Sequence, residues 1–203
     1  NKRISKKQLA EISANIEINV LKKNIGKQDH YSAAFGGMNY FIFKKRDVIT
    51  KKITNIKNIN KILKHSLLLW TELSHDSYSI LNDIKVKSKI NFDSLIELKK
   101  LAEKNFKILK KGFKIEILMK DLEHAWELKK KLSNKITNKR INLITQDLEK
   151  SGIKSFKILG AGGGGFILIV SKINKLNVIR KKYKKQIIDI EISNQGSKVL
   201  YYE

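Results

Sequence analysis

The sequence contains no cysteine and no proline, and only four of its 43 basic residues are arginine. The lack of cysteine excludes disulfides, thiolate catalysis and cysteine-ligated zinc. No apolar run is long enough to span a bilayer, and the opening segment, NKRISKKQLA, lacks the apolar core of a signal peptide. These absences predict a cytoplasmic protein with no membrane partner.

Acidic residues are also scarce, since 19 of them against 43 basic residues leave a formal net charge of +24. Such a charge ordinarily suggests nucleic acid as the partner. However, arginine, whose planar fork reads phosphates and bases, is nearly missing, and the lysines are spread over every segment. We therefore expect no nucleic-acid partner and interpret the charge mainly as compositional background. A non-catalytic basic module that binds nucleic acid or another polyanion is the alternative function.

With 203 residues, 41% of them hydrophobic, the chain can bury a core in one large domain or two small ones. Ser5 and Gln8 form a capping-box pattern that opens a helix. This helix continues to about residue 23, with an apolar stripe at Leu9, Ile12, Ile16 and Val20. The segment DHYSAAF predicts a short helix ended by two glycines, and NYFIF and VITKKI predict two strands joined by a charged turn.

The remaining segments predict helices packed on a sheet. SLLLWTEL predicts a buried strand, and residues 76–150 predict several helices with breaks near Asn91, Gly112 and 134–138. FKIL and FILIV predict strands, a basic helix follows over 174–185, and IIDIEIS and SKVLYY predict a closing hairpin around 194–196. The order favours an α+β fold with helices on one face of an antiparallel sheet, a split β-α-β arrangement of the ferredoxin-like type.

A glycine run lies between the strands FKIL and FILIV. It matches the pattern G-x-G-x-x-G and consists of Gly160, Ala161, Gly162, Gly163, Gly164 and Gly165. A dinucleotide-binding fingerprint needs a helix directly after the loop, whereas FILIV is a strand pattern. Two interpretations remain open: a tight bend where two backbones cross, or a cradle of backbone amides beside the phosphates of a ligand.

Two carboxylates near the start of the chain form a further candidate site. Glu17 lies late in the first predicted helix, and Asp29 lies at the start of the next one. One carboxylate could hold Mg²⁺ while the other orients or deprotonates a hydroxyl. The alternative is that Asp29 is an ordinary N-cap and Glu17 an ordinary surface charge.

The aromatic and imidazole residues carry less information. The four histidines show no spacing typical of metal ligands, and we expect surface or packing roles for them. Trp70 and Trp126 lie on apolar segments and are expected in the core.

Two segments, GKQDHYSAAFGGMNYFIF and KILGAGGGGFILIV, resemble the GHMP kinases, the family that includes galactokinase, homoserine kinase, mevalonate kinase and phosphomevalonate kinase. The first segment is especially similar to the D-glycero-D-manno-heptose 7-phosphate kinase branch. The glycine run looks like the third motif of the family, and the order of elements fits along essentially the whole chain. The resemblance implies that residues 1–58 end the N-terminal kinase domain, an α/β domain, and that 59–203 form the C-terminal domain.

The resemblance also implies a reaction and roles for residues. Family members transfer the γ-phosphoryl group of ATP to a hydroxyl of a small molecule, and in the heptose branch the acceptor is a sugar phosphate. Asp29 matches the catalytic aspartate, and Glu17 matches the glutamate that binds Mg²⁺. Gly160–Gly165 match the loop that borders the active cleft and supports the phosphate-binding region, and Gly36 and Gly37 match a pair required by the backbone.

Three departures from the family pattern bear on activity. The glycine- and serine-rich ATP-binding loop that should precede the first helix is not in this sequence, so we expect the chain alone to be inactive as a kinase. His75 stands where the heptose branch has a basic residue, and His30 stands where glutamine is common. A regulatory or degenerate family member that binds a sugar phosphate without chemistry is therefore a further alternative.

Overall fold

The computed structural model describes residues 4–74 and 77–198, which form two compact units. The first unit comprises the residues up to Thr54 together with those from Glu191 onward, and the second comprises Asn55–Ile190. The chain therefore returns to the first unit after Ile190. The assignment of 1–58 and 59–203 to two kinase domains stays a prediction. His75 and most of the predicted strand SKVLYY lie outside the described residues.

The described residues of the first unit form two α-helices, a π-helical turn and a β-hairpin. Helix α1 (Lys6–Asn15) is followed by a π-helical turn (Ile16–Val20) and by α2 (Gln28–Phe35). Strands β1 (Asn39–Phe43) and β2 (Val48–Lys52) pair in antiparallel register, with Phe41 opposite Thr50. The capping box predicted at Ser5 is confirmed, because its side chain accepts from the Gln8 amide and the Gln8 side chain accepts from the Ser5 amide.

The apolar stripe predicted along the first helix is not its buried face. Ile12, Ile16 and Val20 are 48%, 47% and 65% exposed, whereas Ala10 and Ala14 are fully buried. Ala10 packs in a small core with residues of α2 and β2, namely Tyr31, Ala34 and Val48. Small side chains on α1 allow the two helices to approach closely, so burial follows the alanines and not the larger residues.

The second unit is a four-stranded antiparallel sheet with helices. Its elements are α3 (Ile56–Lys64), β3 (Ser66–Trp70), α4 (Ser77–Val86), α5 (Phe92–Lys111), α6 (Ile115–Leu132), a 3₁₀ turn (Asn134–Ile136), α7 (Lys139–Lys150), β4 (Phe156–Ile158), β5 (Phe166–Val170), α8 (Ile173–Lys182) and β6 (Ile187–Ile188). The strand order is β4-β5-β3-β6, with every neighbouring pair antiparallel. The predicted α+β fold is confirmed.

The core of the second unit lies on one face of this sheet. Alternate residues of the three longer strands are buried, and they pack with residues of α6, α7 and α8; the strand residues are Leu67, Leu69, Phe156, Ile158, Ile167 and Ile169. Trp126 on α6 is buried against Phe156, with ring centroids 6.2 Å apart. The prediction for Trp70 was wrong, because this residue ends β3 and is 44% exposed.

The closing hairpin predicted from the sequence differs from the structure. Its first strand is reduced to β6, which pairs with β3 through Leu68 and Leu69. Residues 189–198, the described remainder of that segment, form no strand. The residues from Glu191 on are part of the first unit, in which the Gly37 amide donates to the Ser193 carbonyl and the Ser197 amide donates to the Ala33 carbonyl.

No helix among the described residues is long and apolar enough to cross a membrane.

We predict that Gly196→Ala destabilises the first unit by about 1–3 kcal/mol, because the added Cβ would overlap the backbone carbonyl of Ala34. Urea denaturation monitored by circular dichroism, together with hydrogen exchange of the α2 amides, measures the effect. Gly26→Ala is the matched control, since its Cβ meets only the flexible side chain of Gln28. Equal stability of the two variants would contradict the prediction.

Candidate active site

Glu17 lies in the π-helical turn that continues α1. Such turns are rare and occur frequently at functional sites. The chain then passes through Lys22, whose φ of 53° is uncommon for a residue other than glycine, and reaches α2 at Gln28. This reversal returns the chain to the side chain of Glu17.

The Glu17 carboxylate contacts two nitrogen groups. Its Oε1 lies 3.1 Å from Nζ of Lys23, and its Oε2 lies 3.3 Å from Nε2 of His30. The hydrogen bond from Lys23 is the main reason that the pKa of Glu17 is lowered, with a smaller contribution from His30. Glu17 is therefore ionised at neutral pH, and it touches the residue that follows Asp29.

Asp29 is the second residue of α2 and is exposed. Among the residues that the structure describes, none forms a hydrogen bond or an ion pair with its carboxylate. The interpretation of Asp29 as the N-cap is wrong, because Lys27 occupies that position. Asp29 stands in the first turn, where the helix dipole favours a negative charge. Its carboxylate is thus available to a ligand.

A network between α1 and α2 fixes the start of α2. Glu11 accepts hydrogen bonds from Nζ of Lys27, at 2.7 Å, and from the hydroxyl of Tyr31. Tyr31 is fully buried among the aromatic rings of Phe35, Phe41 and Phe43. Burial, then the hydrogen bond to Glu11, raises the pKa of Tyr31, while Lys27 and Tyr31 lower the pKa of Glu11. Because Lys27 and Tyr31 stand two residues before and after Asp29, these contacts fix the turn of α2 that carries Asp29.

The donor set of this region fits Mg²⁺. Within the described part of the chain, no cluster of three or more histidine or acidic side chains could hold a metal by itself. Mg²⁺ in kinase sites takes one or two carboxylates and completes its octahedron with phosphate oxygens and water. Glu17 supplies such a carboxylate, and a bound Mg²⁺ would compete with Lys23 for it.

The glycine loop (Gly160–Gly165) belongs to the second unit and joins β4 to β5. Four of its glycines have positive φ, namely Gly160, Gly162, Gly163 and Gly165. A Cβ at Gly162 would lie 3.0 Å from Cα of Ile136, so a side chain would push the loop off the 3₁₀ turn. The Gly163 amide donates to the Ile136 carbonyl at 2.9 Å. The tight approach of two backbones, one of the two interpretations from the sequence, is therefore present.

Three residues outside the loop, on or next to other elements, donate to carbonyls of the loop and of the end of β4. Nζ of Lys129 donates to the carbonyls of Ile158, at 2.9 Å, and Gly160, at 2.7 Å. Nδ2 of Asn138 donates to the Gly163 carbonyl at 2.8 Å. The amide and the hydroxyl of Thr71 both donate to the Gly165 carbonyl.

Three amides of buried loop residues are left for a ligand. The amides of Ala161, Gly162 and Gly164 find no acceptor among the residues described. Buried amides are nearly always hydrogen-bonded, so these three indicate a ligand acceptor. The second interpretation from the sequence, a cradle of amides for phosphate oxygens, is compatible with this geometry and stays a prediction.

Lys129 is a buried lysine without a carboxylate partner among the described residues. It is only 7% exposed, and its ammonium contacts only the two backbone carbonyls. Burial, and then repulsion from Lys157 on β4, lowers the pKa of Lys129 to about 7. Burial also lowers the pKa of Lys157.

Lys129 and Asn138 are not among the site residues predicted from the sequence. A signal for Lys129 does exist, because it stands three residues after Trp126 and three before Leu132, on the same buried face of α6. Its place in a run of three lysines makes it look like part of a solvated helix end. Asn138 is recognisable from the sequence only as the residue before α7.

Comparisons with known proteins support the resemblance found in the sequence. No family model matches the chain. The D-glycero-alpha-D-manno-heptose 7-phosphate kinase of Campylobacter jejuni is 26% identical over 199 residues, which cover 94% of this chain and 58% of that protein. The crystal structure of a D-glycero-D-manno-heptose 1-phosphate kinase from Bacteroides thetaiotaomicron matches with a TM-score of 0.72 and 19% identity, over 98% of this chain and 57% of the other.

The mevalonate kinase of Methanococcus jannaschii matches with a TM-score of 0.63 and 22% identity, over 93% of this chain and 56% of that protein. The resemblance of the chain to the GHMP kinases is confirmed. The chain spans somewhat more than half the length of these relatives, so it has the GHMP kinase fold over the part that it shares with them. The roles of Asp29, Glu17 and Gly160–Gly165 stay predictions.

We predict that Lys129→Met makes the stability of the second unit less dependent on pH. Between about pH 7 and the ordinary lysine pKa of 10.5, the unfolded chain binds a proton at Lys129 that the folded chain does not. The free energy of unfolding therefore rises with pH across this window in the wild type, and the variant loses that part of the rise.

Urea denaturation at several pH values from 7 to 9 measures the slope. Lys61→Met is the matched control, because Lys61 also donates to a backbone carbonyl of the same unit, that of Phe113. A slope that is the same for wild type, Lys129→Met and Lys61→Met would contradict the prediction.

Proposed function

We propose that this chain is the C-terminal part of an ATP- and Mg²⁺-dependent kinase that phosphorylates a hydroxyl of a sugar phosphate, with heptose 7-phosphate as the expected substrate. The observation that carries the proposal is that the Glu17 carboxylate, in the π-helical turn, contacts the first turn of α2, which also bears Asp29. Asp29 is exposed and unpaired among the described residues, and its neighbour His30 contacts Glu17. A similar curated protein acts, by its name, on heptose 7-phosphate.

Each group would have a separate task in this reaction. Asp29 orients the acceptor hydroxyl and accepts its proton as the hydroxyl oxygen bonds to the γ-phosphorus of ATP and the bond from that phosphorus to the leaving ADP breaks. Glu17, held ionised by Lys23, would hold Mg²⁺. Bound Mg²⁺–ATP supplies the γ-phosphoryl group and neutralises charge on the phosphate oxygens. The amides of the glycine loop would hydrogen-bond phosphate oxygens, since oriented amides bind anions.

The proposal requires an ATP-binding loop that the 203 residues do not contain. We infer that the chain by itself does not turn over ATP, and that the activity belongs to a protein in which this chain follows the glycine- and serine-rich loop of the family. The assays below use the chain together with the sequence encoded upstream of it, and the 203-residue chain serves as a negative control.

We predict that Asp29→Asn lowers phosphoryl transfer by about 100-fold or more, because removal of a general base typically costs two to four powers of ten. Nucleotide affinity is expected to stay within about twofold, since Asp29 acts on the acceptor. A coupled ADP-release assay with heptose 7-phosphate and a small panel of sugars measures transfer, and calorimetry measures binding of a non-hydrolysable ATP analogue.

Asp47→Asn is the matched control, because Asp47 is an exposed carboxylate of the same unit, in the turn between β1 and β2, and pairs with Lys7 of α1. Unchanged turnover in Asp29→Asn would remove Asp29 from the mechanism. If the wild type phosphorylates no sugar in the panel and binds polyanions with an affinity that falls with salt, the non-catalytic basic module is favoured instead.

We predict that Glu17→Gln raises the Mg²⁺ concentration needed for half-maximal activity, by about tenfold, because a neutral amide is a poorer ligand for a hard cation. A titration of activity against Mg²⁺ at saturating ATP measures the shift. Glu116→Gln is the control, as Glu116 is an exposed glutamate in the first turn of α6. An identical Mg²⁺ titration for wild type and Glu17→Gln would contradict the assigned role.

A further inference from the structure

The glycine loop is oriented by side chains that lie outside it. In a planar trans peptide the carbonyl and the amide of the same unit point in opposite directions, and the described residues contain no cis peptide. A donor that holds the carbonyl of one residue therefore fixes the direction of the next residue's amide. Lys129 holds the Gly160 carbonyl, which turns the Ala161 amide away from Lys129.

Asn138 acts in the same way in the second half of the loop. Its Nδ2 holds the Gly163 carbonyl, which turns the Gly164 amide to the opposite side. The same side chain caps α7, because its Oδ1 accepts from the Ile141 amide at 3.0 Å. The loop is thus tied to a helix that packs in the core, and its orientation does not depend on the glycines alone.

Both amides fixed by these side chains lack an acceptor among the described residues, as does the Gly162 amide between them. Ala161 follows the carbonyl held by Lys129, and Gly164 follows the carbonyl held by Asn138. Glycines adopt many conformations at similar energy, so without the two donors these two peptide units could rotate and turn their amides away from a ligand. The donors fix the directions in which the Ala161 and Gly164 amides point.

The choice of lysine at position 129 is costly for stability. The ammonium is buried beside Lys157 and has no carboxylate among the described residues to compensate it. An apolar side chain of similar length would fill the same space without the penalty of burying a charge. The cost is explained if the lysine serves the loop, because an apolar side chain could not donate to the Gly160 carbonyl.

We propose that Lys129 and Asn138 are positioning residues, which turn the carbonyls of the glycine loop aside so that the amides of Ala161 and Gly164 bind an oxyanion of the phosphate type. The proposal deepens the proposed function, on which it rests for the source of the phosphate. The binding itself concerns only the second unit and requires no turnover.

The test is a titration of the isotope-labelled 203-residue chain with inorganic pyrophosphate, followed by NMR of the backbone amides. In the wild type, the Ala161 and Gly164 amides are expected to shift together and to saturate before the surface lysines respond. Lys129→Met is expected to abolish the shift of Ala161, keep that of Gly164, and weaken the affinity by about tenfold or more, since charge-assisted hydrogen bonds are lost.

Asn138→Ser is expected to give the reverse pattern. Serine preserves the cap of α7, but it cannot supply the amide donor to the Gly163 carbonyl, so the Gly164 response is lost and the Ala161 response is kept. Lys61→Met controls for the loss of an ammonium that donates to a backbone carbonyl elsewhere in the same unit. A purely structural role would lower both responses equally and would not separate the two amides.

The following results would overturn the proposal or separate it from the proposed kinase function. Wild-type amides that do not respond to pyrophosphate, or two variants that lose both responses alike, would overturn the proposal. If Lys129→Met does not fold, the pattern in Asn138→Ser decides alone. A selective response in a protein that phosphorylates no sugar would refute the proposed kinase function and leave this inference intact.

Discussion

The planar peptide unit is the constraint on which the glycine loop depends. A carbonyl and the amide that follows it cannot be aimed independently, so whatever holds one determines the other. In this chain, Lys129 and Asn138 hold carbonyls of a segment that has almost no side chains of its own. Glycine permits the close approach to Ile136 and the left-handed conformations, while residues from neighbouring elements select one conformation among the many that glycine allows.

The first unit depends on small residues in a different way. Ala10 and Ala14 allow α1 to lie close to α2, and Gly36 and Gly196 allow the returning chain to lie against the end of α2. The aromatic cluster around Tyr31 then fixes α2 over the β-hairpin. Because Asp29 and His30 are in the first turn of α2, the packing of that helix determines which groups Glu17 can reach.

Local patterns in the sequence were sufficient for most elements. The capping box at Ser5, the helix stop at Gly36 and the strands on either side of the glycine run follow from residues a few positions apart, and the structure has each of them. The predictions that failed concern burial and strand pairing, which depend on residues distant in the chain. Ile12 and Trp70 are apolar residues that remain exposed. Residues 189–198, the described part of the segment after β6, form no strand.

The sequence by itself determined the α+β class, the resemblance to the GHMP kinases and the candidate residues Glu17, Asp29 and Gly160–Gly165, because each depends on short spacings and residue types. Only the tertiary structure decided that Glu17 meets Lys23 and His30, and that Lys129 is buried beneath the glycine loop. The physical reason is that burial, hydrogen-bond partners and shifts in pKa arise between residues distant in the chain. From the sequence, Lys129 in a run of three lysines is expected to be solvated, whereas in the fold it donates to the carbonyls of Ile158 and Gly160.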